Sequence, residues 1–201
     1  MNFDAHNELF IMQRRELAEL FGFETRNKYA LLDARGDEVG YAAEQGKGLF
    51  AILARFFLGH WRVFDIHLFN TQRQPLFRAH HPFRFFFQRL ELFDSNGTFL
   101  GALQQRWAFF SKRFDVLDGN GRRVMEMRSG FFRVWTFPFF RGEIEVARVE
   151  KKWSGLLREA LTDGDKFRVA FTPAVQGRER ALIVAASLFI DLQYFERQAS
   201  N

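Results

Sequence analysis

The chain contains no cysteine in 201 residues, and it has only four prolines, four tryptophans and three tyrosines. The lack of cysteine excludes disulfides, thiolate metal sites and S-acylation. The N-terminal segment MNFDAHNELF carries an acidic residue and no long apolar run, which is not the pattern of a signal peptide. These absences predict an intracellular protein.

Motifs of covalent chemistry are also lacking. The sequence has no nucleophile elbow, no glycine-rich phosphate loop and no close carboxylate pair suited to acid–base catalysis. His80 and His81 precede Pro82 without HxxxH spacing or an acidic partner, so they are expected in a surface turn rather than on a metal. An enzyme with a covalent chemical step is therefore not expected.

Phenylalanine and arginine are abundant instead. The 28 phenylalanines exceed what the core of one domain needs, so some exposed rings are expected. The net charge is +5, and 23 of the 29 basic residues are arginine, whose planar fork suits phosphate and carboxylate groups. The charge indicates an anionic partner, either phospholipid or nucleic acid, unless it only solvates the surface. The length predicts one domain over residues 1–201, with a flexible segment at 1–7.

The body of the chain reads as a stack of hairpins. Four turns recur with an Asp or Asn first and, in three of them, a Gly fourth: Asp33–Gly36, Asn70–Arg73, Asp94–Gly97 and Asp118–Gly121. Alternating apolar residues predict about twelve strands. They lie at roughly 8–13, 27–33, 38–44, 62–69, 75–80, 86–93, 99–107, 112–117, 122–127, 131–136, 142–150 and 166–172.

Helical stretches are few, and the most informative one closes the chain. Short helices or turns are expected at 15–20, 48–58 and 154–160, and a longer helix from about 178 to 196. Residues 181–190 are apolar apart from Ser187, but Asp191 and Gln193 then interrupt the run. A bilayer span needs about 20 apolar residues. A twelve-stranded barrel has a lumen that such a helix would fill. We therefore predict a buried central helix, with a membrane span or a surface helix as alternatives.

Motifs near both ends of the chain resemble the phospholipid scramblase family. They are GFETRNKY at 22–29, YAAE at 41–44, KKWSGLLREALTDGDKF at 151–167 and FIDLQYFE at 189–196. The resemblance implies a tubby-like fold, a closed twelve-stranded antiparallel barrel around a central C-terminal helix. It also implies membrane association and calcium-stimulated movement of phospholipids between leaflets.

The family's proposed calcium loop corresponds to residues 163–174 of this chain. Asp163 and Asp165 fill the first and third positions of an EF-hand-like loop, but the sixth and twelfth positions hold Arg168 and Ala174. Two carboxylates beside a phenylalanine-rich strand make a poor cage for Ca²⁺. A turn leading into a core strand is expected, and a weak calcium site is the alternative.

Aromatic residues stand where relatives carry acylated cysteines. The resemblance places lipid attachment near residues 48–59 and 81–88, where this chain has runs of phenylalanine flanked by basic residues. Exposed aromatic rings in these segments would replace the missing acyl chains as membrane contacts. Alternatively, the 48–59 insert caps one mouth of the barrel. The candidate contact residues are Lys47, Phe50, Arg55, Phe56, Phe57, Phe83, Arg84 and Phe86.

A basic patch around Trp153 is the last candidate site. Its members are Arg148, Lys151, Lys152 and Arg158, with Glu150 interrupting the run. The resemblance implies a nuclear-import signal, because the corresponding stretch of family members is interpreted as one. A basic strand end that contacts phosphates and an ordinary solvated edge are the other interpretations.

The function expected from these features is phospholipid binding at the inner face of the plasma membrane, with movement of lipid between leaflets. The partner is an anionic phospholipid membrane; a tubby-like phosphoinositide- or nucleic-acid-binding regulator and a soluble scaffold are the alternatives. The sequence leaves open the lipid headgroup and the oligomeric state.

Overall fold

The computed structural model describes residues 2–14, 25–45, 63–108, 111–130, 135–152 and 166–195. These residues form a closed antiparallel barrel in which each strand pairs with the next along the chain and β1 closes against β12. The predicted barrel of about twelve strands is therefore confirmed. The strands of the described residues are β1 Glu8–Gln13, β2 Thr25–Leu32, β3 Glu38–Gln45, β4 Phe64–Phe69, β5 Pro75–His81, β6 Arg89–Asp94, β7 Phe99–Arg106, β8 Ser111–Asp118, β9 Arg123–Gly130, β10 Thr136–Arg141, β11 Ile144–Lys152 and β12 Lys166–Phe171.

A helix fills the barrel. This helix, α1, covers Arg178–Ile190 and continues as one π-helical turn over Asp191–Phe195. Every residue from Arg180 to Ile190 is buried. Twelve strands enclose more space than their inward side chains fill, and a helix that is apolar on all sides completes the core. The predicted central helix is confirmed, and no helix within the described residues is long and apolar enough to cross a bilayer.

Four hairpin turns of one design lie together at one end of the barrel, called the turn end below. In the turn that starts at Asp94, the backbone N–H of Gly97 donates to the Asp94 carbonyl at 3.1 Å. The Asp94 carboxylate accepts from the N–H groups of Asn96 and Thr98 at 2.9 and 2.8 Å. The same three bonds recur in the turns that start at Asp33 and Asp118. In the turn that starts at Asn70, Arg73 N–H donates to the Asn70 carbonyl and Gln74 N–H donates to Asn70 Oδ1.

The fourth residue of each turn has a positive φ, as the sequence pattern predicts. In three turns it is glycine, with φ of +88° at Gly36, +83° at Gly97 and +77° at Gly121. In the second turn it is Arg73, at +62°, which is the one non-glycine residue with positive φ among those the structure describes. Each turn is accompanied by a register shift in its flanking ladder, which is typical of short hairpin loops with a bulge.

The opposite end of the barrel, the loop end, collects the longer connections. The flanking strand ends of residues 14–24, 46–62, 82–88, 107–110, 131–135 and 153–165 all lie there. Because α1 begins at the turn end, soon after β12, its last turn reaches the loop end. The predicted helical stretches 15–20, 48–58 and 154–160 lie outside the described residues, as does residue 196.

The tenth strand differs from its prediction. Alternation predicts a strand at 131–136, whereas β10 covers Thr136–Arg141 and contains Pro138. Proline has no amide hydrogen and disfavours strand interiors, so a strand that contains it is weakly marked in the sequence. The structure accommodates Pro138 because the pairing of β10 with β9 is confined to Phe139 and Phe140, after the proline.

Phe3 is buried in the core, within the segment 1–7 that the sequence predicts to be flexible. Phe3–Ala5 form a 3₁₀ turn, and the Phe3 ring joins the barrel core. The buried Arg180 guanidinium donates to the backbone carbonyls of Phe3 and His6. A buried arginine needs such acceptors, and the N-terminal segment supplies them. This long-range role has no signature in local composition.

Candidate functional site

Five aromatic side chains project into solvent at the loop end. They are called the aromatic ridge below, and they include five of the six large hydrophobic side chains that are exposed among the described residues. The sixth, Ile144, lies at the turn end. The ridge consists of Phe83, Phe85, Phe86, Phe87 and Trp107, with 50%, 55%, 78%, 43% and 68% of their surface exposed.

The ridge is held by a short ladder between two glutamines. Gln105 N–H donates to the Gln88 carbonyl at 2.8 Å, and Gln88 N–H donates to Gln105 Oε1 at 2.9 Å. Phe86 lies two residues before Gln88, and Trp107 lies two residues after Gln105. The antiparallel register of β6 and β7 therefore brings the two parts of the ridge to the same level. The Phe85 and Phe86 rings meet edge to face at 4.9 Å.

The base of this loop is fixed to the central helix through a buried histidine. His81 is completely buried, and its ring stacks on the Phe64 ring with 4.7 Å between the ring centres. Its Nε2 lies 2.7 Å from Gln88 Oε1. Its ring is also 5.4 Å from that of Phe189 in α1. The surface turn predicted for His80 and His81 is therefore wrong, because both residues belong to β5 and His81 points inward.

A polar rim lines the inside of the loop end, beneath the last turn of α1. Tyr29 donates its hydroxyl hydrogen to Asp191 at 2.8 Å. Asn27 donates to Glu44 at 2.8 Å, and Gln13 donates to Asn27 at 3.2 Å. Three motifs that are far apart in the sequence thus meet on one side of the barrel. Their two carboxylates, on Glu44 and Asp191, are 1% exposed.

The other side of the rim carries two lysines. Lys112 shares the inward face of β8 with Phe114, and its Nζ lies 5.6 Å from the centre of the Phe137 ring. Lys151 Nζ lies 5.6 Å from the Trp135 ring and 5.7 Å from the Phe167 ring. Burial lowers the pKa of Lys112 from its ordinary value, because it disfavours the charged ammonium.

The predicted basic patch is not one surface. Arg148 points outward from β11 and pairs with Glu145 at 2.6 Å and Glu150 at 3.7 Å. Lys151 belongs instead to the inward face, where it contacts aromatic rings. The other two members of the predicted patch are Lys152, the last residue of β11, and Arg158, which lies outside the described residues.

Arginines on the outer wall of the barrel are paired with carboxylates. Arg168 donates to Glu8 at 2.6 Å and to Glu150 at 3.2 Å. The hydrogen bond to Glu8 raises the pKa of Arg168 above its ordinary value. Much of the arginine charge on this wall is therefore compensated locally. Further pairs are Arg106–Asp115, Arg113–Glu126 and Arg128–Glu143.

The described part of the candidate calcium loop is a core strand. Asp163 and Asp165 lie outside the described residues, and β12 begins directly after them. β12 pairs with β1 on one side and β11 on the other. The described residues contain no group of three or more acidic or histidine side chains that could hold a metal ion. The fifth, seventh and ninth loop positions are the buried side chains Phe167, Val169 and Phe171.

The structure thus brings together part of the predicted membrane-contact set. Phe83, Arg84 and Phe86 are exposed on one loop. Trp107 was missed by the sequence reasoning, which placed it in a strand; only the hairpin register aligns it with the phenylalanines. The remaining predicted contact residues lie outside the described part of the chain: Lys47, Phe50, Arg55, Phe56 and Phe57.

A closed barrel of twelve antiparallel strands around the helix that follows them is the tubby-like fold. The chain belongs to the Scramblase family, whose model matches residues 2–197. A solved structure of an Arabidopsis thaliana protein has the same fold, with a TM-score of 0.53 at 14% identity, over 92% of this chain and 90% of that one.

Curated relatives carry the family's name. Human phospholipid scramblase 1 is 28% identical over 97% of this chain and 65% of its own length. Human phospholipid scramblase 2 is 28% identical over 94% of this chain and 67% of its own length. A phospholipid scramblase family protein of Schizosaccharomyces pombe is 24% identical over 96% of this chain and 60% of its own length. The chain therefore spans 60–67% of the length of these relatives.

Proposed function

We propose that this protein binds phospholipid membranes through the aromatic ridge and moves phospholipids between the two leaflets. The observation that carries the proposal is the gathering of five exposed aromatic rings at one end of the barrel, whereas the other described rings whose burial is given are buried or half-buried. An exposed apolar patch of this kind marks a binding surface. Membership of the Scramblase family favours a phospholipid membrane as the partner.

The energetics favour shallow, reversible insertion. Removing half of the ridge surface from water contributes several kcal/mol, at about 25 cal/mol per Å² of apolar area. Trp107 suits the interfacial depth, where its ring is apolar and its N–H stays hydrated. Arg84, exposed within the same loop, adds about 1 kcal/mol near anionic headgroups. The inner face of the plasma membrane, which is rich in anionic lipid, is the proposed location.

Lipid transfer in this proposal takes place outside the barrel and involves no covalent step. The lumen is filled by α1, whose side chains from Arg180 to Ile190 are buried, so a lipid does not pass through the interior. Rings inserted into one leaflet perturb the packing of that leaflet and lower the barrier to headgroup crossing. Several copies acting together would enlarge the perturbation.

Vesicle flotation tests the membrane contact. The variant Phe85→Asp/Phe86→Asp is expected to lose most of its vesicle binding, because two carboxylates replace two inserted rings. Ile144→Asp is the matched control, since Ile144 is 71% exposed at the turn end. It is expected to float as the wild type does. Equal binding by all three folded proteins would exclude the ridge as the membrane contact.

The phenylalanine-rich insert is proposed as a second contact beside the ridge. The strand ends that flank residues 46–62 lie at the loop end, as the ridge does. Phe56→Asp/Phe57→Asp is expected to weaken flotation further when combined with the ridge variant. Unchanged binding of the insert variant alone and in combination would remove the insert from the contact.

Lipid movement is tested separately, in proteoliposomes that contain a fluorescent phospholipid in both leaflets. The wild type is expected to expose inner-leaflet lipid to an external quencher faster than empty vesicles, and Phe85→Asp/Phe86→Asp is expected to match empty vesicles. Wild-type exchange no faster than in empty vesicles would leave membrane binding as the only supported activity. A nucleic-acid-binding regulator is less favoured, because many arginines on the described outer wall already pair with carboxylates.

A further inference from the structure

Two lysines point into the barrel mouth at the same end as the aromatic ridge. In β8, Lys112 alternates with the core residues Phe114 and Val116, and its strand partner is the buried Ser129. In β11, Lys151 alternates with the core residue Val149. Both lysines are partly buried. Each ammonium group is therefore presented to the inside of the mouth and not to the outer wall.

Strands β9 and β10 lie between the strands of the two lysines, and aromatic rings at the start of β10 lie under both ammonium groups. Lys112 Nζ lies over the Phe137 ring at 5.6 Å, and Lys151 Nζ lies over the Trp135 ring at 5.6 Å. Trp135 and Phe137 are two positions apart and share one face of the chain. The lysines thus flank an aromatic floor at the mouth, which is a place where a cation is partly stripped of water but still reaches the surface.

Building on the proposed membrane function, we propose that Lys112 and Lys151 form a binding site for the phosphate of an anionic phospholipid headgroup. Insertion of the ridge brings the loop end against the bilayer, and the mouth then lies at headgroup depth. Trp107 and Lys112 belong to the two sides of the β7–β8 connection, so the inserted ring and the ammonium group are carried by one hairpin. A phosphate between them would accept a charge-assisted hydrogen bond from each ammonium group.

A structural role for the two lysines predicts a different result. Ammonium groups over aromatic rings shield the rim of the core even without a ligand. Replacement by methionine keeps the length and the apolar stem over the ring and removes only the charge. A ligand site and a purely structural role are therefore separated by Lys112→Met and Lys151→Met.

Flotation with two vesicle compositions measures the effect. Vesicles of phosphatidylcholine alone are compared with vesicles that also contain phosphatidic acid. The wild type is expected to bind the vesicles that contain phosphatidic acid more tightly. Each methionine variant is expected to bind those vesicles about fivefold more weakly than the wild type does, and to bind phosphatidylcholine vesicles as the wild type does. Arg113→Met is the matched control, because it removes the same charge from the next residue of β8, on the outer face.

The outcomes divide cleanly. A loss at Lys112 and Lys151 without a loss at Arg113 supports the site, whereas equal losses at all three positions would mean general charge attraction and overturn it. Soluble dihexanoyl phosphatidic acid, titrated below its micelle concentration, tests the site without a membrane. If binding of this soluble lipid depends on Lys112, the result supports the site, even if Phe85→Asp/Phe86→Asp no longer floats with vesicles. Inorganic phosphate that competes equally well would overturn a lipid headgroup as the ligand.

Discussion

The hydroxyl of Tyr29 lies 2.8 Å from a carboxylate oxygen of Asp191, so the barrel wall and the last turn of the central helix are joined by one buried hydrogen bond. Both residues are 1% exposed. Tyr29 comes from one of the first family motifs and Asp191 from the last. The bond connects β2 to the π-helical turn that continues α1 at the loop end.

Tyr29→Phe is expected to destabilise the protein by about 1–3 kcal/mol, because the buried Asp191 carboxylate loses a donor that water does not replace. Tyr41→Phe is the control, since its hydroxyl bonds Glu38 at 2.6 Å at the surface; its cost is expected to stay below about 1 kcal/mol. The urea concentration at the midpoint of unfolding measures the stability change of each variant, provided that the dependence of the unfolding free energy on urea is unchanged. Similar midpoints for the two variants would contradict a structural role of the Tyr29–Asp191 bond.

Gly101→Ala is expected to destabilise the barrel by about 1–3 kcal/mol or more. A Cβ at Gly101 would lie 2.3 Å from the Leu117 carbonyl oxygen and 2.9 Å from a methyl group of Leu182 in α1. The wall and the helix would have to separate. Gly130→Ala is the matched strand control, because no atom lies within 4 Å of its added Cβ. Thermal unfolding should show a lower midpoint for the first variant only.

Arg73→Gly is expected to stabilise the protein by about 0.5–1 kcal/mol. Arg73 holds φ at +62°, where an L side chain is strained and glycine is not. The reverse change in the sister turn, Gly97→Arg, should destabilise by a similar amount, because Gly97 has φ of +83°. Opposite signs of the two changes in unfolding free energy are the expected result; a destabilising Arg73→Gly would contradict the strain.

Asp94 is expected to make stability depend on pH in the acid range. The hydrogen bond from the Thr98 backbone holds the pKa of Asp94 below its ordinary value of 3.8. Because the folded pKa is the lower one, the stabilisation is complete above the unfolded pKa and is lost as pH falls through the folded pKa. Asp94→Asn keeps the acceptor oxygen, as Asn70 does in its own turn. The difference in unfolding free energy between the wild type and the variant should become smaller below pH 3.8. A difference that becomes larger there would contradict a stabilising role of the ionised Asp94 carboxylate.

Calcium is expected to bind weakly or not at all at Asp163 and Asp165. The seventh and ninth positions of the loop, Val169 and Phe171, are buried in a strand that pairs on both sides, so they do not turn toward a cation. Calorimetry at millimolar Ca²⁺ should therefore give the same small heat for the wild type and for Asp163→Ala. A saturable signal that Asp163→Ala abolishes would establish the calcium site.

The sequence predicted those parts of the fold that local patterns determine. The turns at Asp33, Asp94 and Asp118 need only an acceptor at the first position and a glycine at the fourth, and both are visible in the residues. The central helix is also visible, because it is apolar on every side. The tenth strand was placed at 131–136, whereas β10 covers Thr136–Arg141 and contains Pro138, whose presence in a strand depends on the limited pairing with β9.

The candidate site was only partly predictable. Phe83 and Phe86 stand in a run of rings too dense to be buried together, which is a local signal. Trp107 required the register of two strands. Arg148 and Lys151 were grouped in one basic patch because they are close in sequence, but a spacing of three residues places them on opposite faces of β11.

The position of α1 in the chain also bears on biosynthesis. All twelve strands precede the helix that fills the barrel, and the barrel can close only when β12 is available to pair with β1. A nascent chain that has emerged only as far as β11 exposes two unpaired strand edges and a hollow apolar interior, which is an aggregation hazard. Folding is therefore expected to be completed after the ribosome has released residues 178–190, and interrupted synthesis before Arg180 should yield a product that depends on chaperones or is degraded.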